Sequence, residues 1–170
     1  MPINSRKITP CLWFDNQAED AAKFYVSIFK NSKIKRVSRY SKAGHDIHKR
    51  PAGSAMTVEF ELDGQSFTAL NGGPIFTFDE AISFQIPCET QEEIDYYWSR
   101  LTADGGSEGP CGWVKDKFGL SWQVVPTALA DMLMDHNSEK TERVTAAFLQ
   151  MKKFDIAKLK RVYAGEAAAA

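Results

Sequence analysis

Read for polarity alone, the chain runs through one series of elements twice. Ile8 to Phe14 is an apolar run with Pro10 near its start, which predicts a first strand. Asn16-Gln17-Ala18-Glu19 predicts a helix start, with Asn16 as the cap and Glu19 able to reach back to it. Ala18, Ala21, Ala22, Tyr25 and Phe29 then recur at helical spacing, and Asn31-Ser32 ends the helix. Ile34 to Tyr40 alternates as a second strand. Ser41 to Gly53 is polar, carries His45, His48 and Pro51, and reads as a loop. Met56, Val58, Phe60 and Leu62 alternate with Thr57, Glu59 and Glu61, the pattern of a half-buried strand. Asp63-Gly64 predicts a hairpin into Gln65–Asn71, and Gly72-Gly73-Pro74 breaks that strand.

The order then repeats. Ala81 to Pro87 predicts a strand, and Thr90-Gln91-Glu92-Glu93 a capping box for a helix carrying Ile94, Tyr97, Trp98 and Leu101. Gly105-Gly106 stops it. Two more strands flank a four-residue turn from Asp116 to Gly119. In the last of them Leu120, Trp122 and Val124 take one face and Ser121, Gln123 and Val125 the other, which leaves Gln123 as a polar side chain at mid-strand. Beyond Pro126 the pattern becomes helical, with Ser138 and Asp155 as caps and Gly165 as a stop. The expected fold is α+β: two tandem βαβββ modules, residues 6–75 and 80–126, forming a half-open curved sheet. Residues 127–165 form a helical appendage, which packs on the sheet or on a dimer partner because such short amphipathic helices do not stand alone.

Composition narrows the function classes. The 170 residues carry a net charge of −1, without the basic excess of a nucleic-acid binder. No apolar run reaches membrane-spanning length, and Met1–Lys7 lacks the apolar core of a signal peptide, so a cytoplasmic protein is expected. Cys11, Cys88 and Cys111 are odd in number and lack a CxxC spacing, which favours reduced thiols. Cys11, among apolar residues, is read as buried and inert, and Cys88 as a small buried residue. Ala167–Ala170 is read as a frayed end. No HExxH, no GxSxG and no strand–Gly-rich turn–helix for a methyl donor occurs.

The strings Ile8-Thr9-Pro10-Cys11-Leu12-Trp13-Phe14, Asp116-Lys117-Phe118-Gly119, Ser121-Trp122-Gln123-Val124-Val125-Pro126 and Gln150-Met151-Lys152-Lys153-Phe154-Asp155-Ile156 resemble the vicinal oxygen chelate superfamily. Its members include glyoxalases, bleomycin-resistance proteins and extradiol dioxygenases. The chain most resembles the PhnB-like subgroup, some of whose members are labelled demethylubiquinone methyltransferases. The resemblance implies paired modules curled around a cleft, a homodimer and, in catalytic members, a divalent metal held by His and Glu. Mapped by landmark, those ligand positions fall at about Pro10, Asn71, Ser83 (with Gln85 next on the same face) and Gln123. None is His, Asp, Glu or Cys, and neutral side-chain oxygens alone are poor ligands for such metals. No metal or cofactor is therefore expected.

What remains is a small-molecule pocket lined by Leu12, Phe14, Asn71, Ser83, Gln85, Ser121 and Gln123, with Trp113 near its mouth. Trp13 and Trp122, of opposite parity, should pack under the helices. The leading expectation is a metal-free binding protein for a small organic molecule. The alternatives are a divalent-metal glyoxalase- or dioxygenase-like enzyme and a purely structural module with a collapsed cleft. Whether the chain catalyses a reaction stays open.

Overall fold

A computed structural model describes residues 8–166. The readings of Met1–Lys7 and Ala167–Ala170 lie outside the described residues. The chain divides between Thr77 and Phe78 into two compact units.

The first unit contains β1 (Cys11–Phe14), α1 (Ala18–Ile28), β2 (Lys33–Arg39), α2 (His45–His48), β3 (Ala55–Leu62) and β4 (Gln65–Asn71). Its sheet has the order β1-β4-β3-β2, with β1 parallel to β4 and the other pairs antiparallel. The second contains β5 (Ser83–Cys88), α3 (Gln91–Thr102), a 3-10 turn at Ala103–Gly105, β6 (Ser107–Glu108), β7 (Trp113–Lys115) and β8 (Ser121–Pro126). Its order, β5-β8-β7-β6, and the sense of each pairing repeat those of the first. This is the duplicated βαβββ arrangement that the sequence pattern predicts.

One helix covers one face of each sheet. In unit one the stripe Ala18, Ala21, Ala22, Tyr25 and Ile28 is buried, and the Tyr25 ring stacks on Phe60, which stacks on Phe67. Tyr25 and Phe60 are wholly enclosed, each burial contributing about 1.5–3 kcal/mol. In unit two Ile94, Trp98 and Leu101 of α3 are buried, as are Ile86, Val114, Trp122 and Val124 on alternate strand positions.

Several local predictions hold. Asp63 and Gly64 both have positive φ (44° and 75°), as a two-residue hairpin turn requires. Thr90 Oγ1 accepts the Glu93 N–H, and Glu93 Oε2 accepts the Glu89 N–H, so the box reaches one residue further back than its usual form. Other details differ. Asn16 does not cap α1; the N-cap residue is Gln17, which makes no side-chain cap bond. Within the Ser41–Gly53 loop the chain forms the single helical turn α2, bracketed by left-handed Gly44 and Lys49.

The appendage consists of α4 (Thr127–Leu133), α5 (Ser138–Phe148) and α6 (Ile156–Ala164). Asn137 rather than Ser138 caps α5, Asp155 caps α6, and Gly165 ends it at a φ of 88°. Gln91, at the start of α3, holds the appendage with both ends of its amide. Nε2 donates to Phe154 O at 3.0 Å, and Oε1 accepts from Ile156 N–H at 2.9 Å. Cys111 and Gly112 add backbone bonds to Met151 and Lys152, each 2.7 Å long. A Cβ on Gly112 would stand 2.4 Å from the Phe154 ring, so the close approach requires glycine.

Candidate functional site

The face of the second sheet away from α3 is assembled by register. Ser83 lies beside Ser121 and Gln85 beside Gln123 across β5–β8; Trp113 pairs with Gln123 and Lys115 with Ser121 across β8–β7. Paired residues share a face, so Ser83, Gln85, Trp113, Lys115, Ser121 and Gln123 all stand opposite the α3-covered side. The turn before β8 holds this edge. Asp116, buried, accepts from the N–H groups of Phe118 and Leu120 through Oδ1, and from the Trp122 indole through Oδ2 at 2.9 Å. Trp122 thereby packs on the helix side, as its parity predicts.

On this face Gln123 Nε2 donates to Ser83 Oγ at 2.8 Å. The Ser121 hydroxyl is different. Its residue is 1% exposed, and its Oγ has no hydrogen-bond partner. The residue is among those lining a cavity of about 390 Å³, together with Trp113, Pro110, Lys115, Glu80 and Glu108. Lys115 and Glu80 form an ion pair in this wall, and the ammonium holds the Glu80 carboxyl below its usual range. Glu108 accepts the Trp98 indole N–H at 2.8 Å. The cavity wall thus combines an aromatic ring, the Lys115–Glu80 ion pair, the Glu108 carboxylate and Ser121, whose buried hydroxyl has no partner. Trp113 and Ser121 line it directly. Ser83, Gln85 and Gln123 share the face without being among its lining residues.

The first sheet departs from expectation. Leu12, Phe14 and Asn71 lie on the helix-covered face. Leu12 and Phe14 are buried with Ala69, Val58 and Phe60, and Phe14 pairs with Asn71. Asn71 is committed at both ends of its amide: Oδ1 accepts Ala18 N–H at 2.8 Å, and Nδ2 donates to Ala55 O at 3.1 Å. Trp13, expected beneath the helix, occupies the other face. Its indole N–H donates to Gly73 O at 2.8 Å, and its ring lies over Gly72, where a Cβ would be only 2.1 Å away. Cys11 is exposed rather than buried, although local desolvation still pushes its thiol up. Cys88 is buried as expected, and burial, helped by Glu93, pushes its thiol to about 12. Elsewhere on this face ion pairs dominate: Arg36 with Glu59 at 2.6 Å, and Lys35 with Glu61 at 2.7 Å. A hydrogen bond from the basic partner holds each carboxyl below its usual range.

The donor set does not fit the superfamily's divalent metal. Asn71 has no free amide end, and Ser83 and Gln123, joined through Gln123 Nε2, offer only neutral oxygens. Among the described residues no group of three or more His, Cys, Asp and Glu is placed to hold an ion. His48 acts as a structural latch. Its ring lies 4.5 Å from that of Tyr40, and its Nδ1 accepts the Arg50 N–H at 3.0 Å.

Two repeated βαβββ sheets, each covered on one side by a helix, define the class: a vicinal oxygen chelate fold. The chain belongs to the family described as 3-demethylubiquinone-9 3-methyltransferase, whose model matches residues 6–125, within the PhnB-like branch of that superfamily. The PhnB protein of Bacillus cereus, described by that same activity, is 34% identical and superposes with a TM-score of 0.62, covering 72% of this chain and 100% of its own. The Pseudomonas aeruginosa protein PA1353 shares the fold at 18% identity and a TM-score of 0.55, over 72% of this chain and 98% of its own. FosX, a fosfomycin resistance protein of Listeria monocytogenes, shares it at 14% identity and 0.50, over 76% and 98%. No functionally curated protein matches the sequence. No helix among the described residues is long and apolar enough to cross a membrane.

The sequence pattern does not disclose Asp116 as the buried anchor of the β7–β8 turn, nor Glu80, Lys115 and Glu108 in the cavity wall. The Asp-x-x-Gly spacing is the signal that could have exposed the first. Nothing local marks the others, because Glu80 and Lys115 meet across 35 positions.

Proposed function

We propose that the chain binds a small organic molecule in the cavity on the face of its second sheet away from α3, using neutral groups rather than a metal. The observation that carries this reading is the Ser121 hydroxyl. A buried hydroxyl without a partner costs about 1–3 kcal/mol, and a ligand that hydrogen-bonds to it recovers that cost. Trp113 supplies the flat apolar surface that such sites use for area. The family's label names a methyl transfer, yet among the described residues neither glycine pair follows a strand and opens a helix, the usual setting for a methyl donor. Gly72-Gly73 follows β4 and leads into irregular chain, and Gly105-Gly106 closes a helix. The same reading has the chain as a cytoplasmic homodimer without nucleic-acid or membrane partners; exposed Ile75, Phe76 and Ile82 support a protein partner.

The test is a thermal-shift screen of a diverse small-molecule library on the full chain, paired with metal analysis of protein purified without chelators. Stabilisers that act on the wild type and fail on Ser121→Ala support the reading. Stoichiometric metal that disappears in Gln123→Ala overturns it in favour of a metal enzyme. A library with no stabiliser at saturating concentration overturns it in favour of a structural module.

A further inference from the structure

We propose that the first unit carries a second site, independent of the cavity beside Ser121, which binds a small organic anion with a carboxylate or phosphate head. A cleft of about 450 Å³ is lined there by Asn16, Glu19, Arg39, Arg50, Ser54 and Asn71, among others. Its lining residues include two guanidinium groups, each ion-paired to one carboxylate, Arg39 to Glu19 and Arg50 to Asp15, which leaves part of each fork unengaged.

Both guanidinium groups are held in place. Arg50 donates from Nη2 to Asp15 at 3.0 Å, and its main-chain N–H donates to His48 Nδ1. Its guanidinium also lies over Gly73, with Nη2 only 2.6 Å from where a Cβ would stand, so a side chain at Gly73 would displace it. Arg39 donates from Nη1 to Gly53 O at 3.1 Å and from Nη2 to Glu19 at 3.2 Å. A guanidinium has five N–H donors in a rigid fork, and these partners do not engage either Nε. Ordering an arginine normally costs side-chain entropy on binding; here the protein has already met that cost. Ser54 and Asn16 add neutral groups suited to the remainder of a polar ligand.

The origin of the cleft points the same way. Arg50, Pro51 and Ser54 belong to the segment between β2 and β3, and residues 41–53 have no counterpart in the shorter second module. The tilted Tyr40–His48 ring contact and the Tyr40 hydroxyl, which donates to Asn71 O at 2.7 Å, fasten that segment over the sheet. The insertion therefore delivers a second guanidinium, fixed by Asp15, to the cleft that Arg39 also lines.

The experiment is an amide NMR titration of the full chain at low chloride, with inorganic phosphate and succinate as separate probes. Saturable shifts at Arg39, Arg50 and Ser54, without shifts at Lys33, Lys35 and Arg36 on the opposite face, are expected for at least one probe; the tighter probe identifies the head group. Arg50→Gln should weaken binding by about tenfold or more, as loss of a charge-assisted bond does. Arg50→Lys keeps the charge and, with the wild-type melting midpoint, should still bind more weakly because the fork is gone. Glu19→Gln should tighten binding, whereas Glu61→Gln, the same charge change on the opposite face, should leave it unaltered. Shifts linear in probe concentration, equal responses to Glu19→Gln and Glu61→Gln, or unchanged binding in Arg50→Gln would each overturn the proposal.

Discussion

Asn71 Oδ1 accepts the backbone N–H of Ala18 at 2.8 Å, so a strand residue 53 positions away caps the helix of the first unit. The same side chain donates to Ala55 O, tying β4 to the start of β3. Asn71→Ala removes both bonds and leaves two buried backbone groups without partners. At about 1–2 kcal/mol each, the expected loss is about 2–4 kcal/mol, read as a lower urea midpoint followed by circular dichroism. An unchanged midpoint would show that water or a shifted neighbour satisfies both groups.

This cap also marks the limit of what the sequence discloses. Devices closed within a few residues were legible: the Asp63-Gly64 hairpin, the Thr90–Glu93 box, the Asp155 cap and the Gly165 stop. Asn16, a good local candidate, lost the cap position because Asn71 reaches the helix from across the sheet, and no spacing reveals that. The duplicated order, and with it the fold, was legible because two copies reinforce each other. The faces of β1 were not. Leu12, Trp13 and Phe14 are all apolar, so polarity does not assign parity, and the covered side is set by which residues meet α1. In β8, where Ser121 and Gln123 alternate with Trp122 and Val124, the polarity contrast is sharp, and Trp122 and Val124 are the buried, helix-side pair.

The bond from the Trp122 indole to Asp116 predicts a specific coupling. Asp116→Asn keeps an oxygen for the Phe118 and Leu120 N–H groups but turns an NH2 toward the indole N–H, setting donor against donor in a buried site. A loss of about 2–4 kcal/mol is expected. Trp122→Phe removes the opposing donor, so the double variant should be less destabilised than the sum of the singles. Urea unfolding of all four proteins, followed by circular dichroism, measures the cycle; strict additivity would mean the indole bond contributes nothing.

Tyr163, in α6, donates its hydroxyl to Asp135, beside the start of α5, and Lys140 stands over the Tyr163 ring. The Asp135 carboxyl is held low, first by the Tyr163 bond, then by the Asn137 N–H and by Lys140. Its contribution is present above the ordinary aspartate value of about 3.9 and is lost as pH falls through the lower folded value. The Tyr163 hydroxyl is pushed up, chiefly by its bond to Asp135. Its contribution is complete below about 10 and is lost as pH rises through the raised folded value. The melting midpoint of the wild type should therefore exceed that of Tyr163→Phe by a constant margin across neutral pH, and the margin should narrow at both extremes. A margin independent of pH from about 2 to about 12 would separate this pair from the titrations assigned to it.

Ser121 makes the sharpest prediction, because its stability and its proposed binding role pull in opposite directions. The hydroxyl is enclosed and lacks a partner, and its residue lines a cavity walled by Trp113. Ser121→Ala removes the orphaned group while keeping the small side chain that β8 packs beside Lys115. Without ligand the variant should be more stable than the wild type by about 1–3 kcal/mol, read as a higher urea midpoint. With any molecule that stabilises the wild type through this cavity, the order should reverse, since the variant cannot make the bond that offsets the buried hydroxyl's cost. Ser83→Ala is the matched control. Ser83 Oγ already accepts from Gln123, so its loss should destabilise the free protein, opposite in sign to Ser121→Ala. If both variants shift stability in the same direction, the Ser121 hydroxyl is satisfied in solution, and the case for a ligand at this position falls with it.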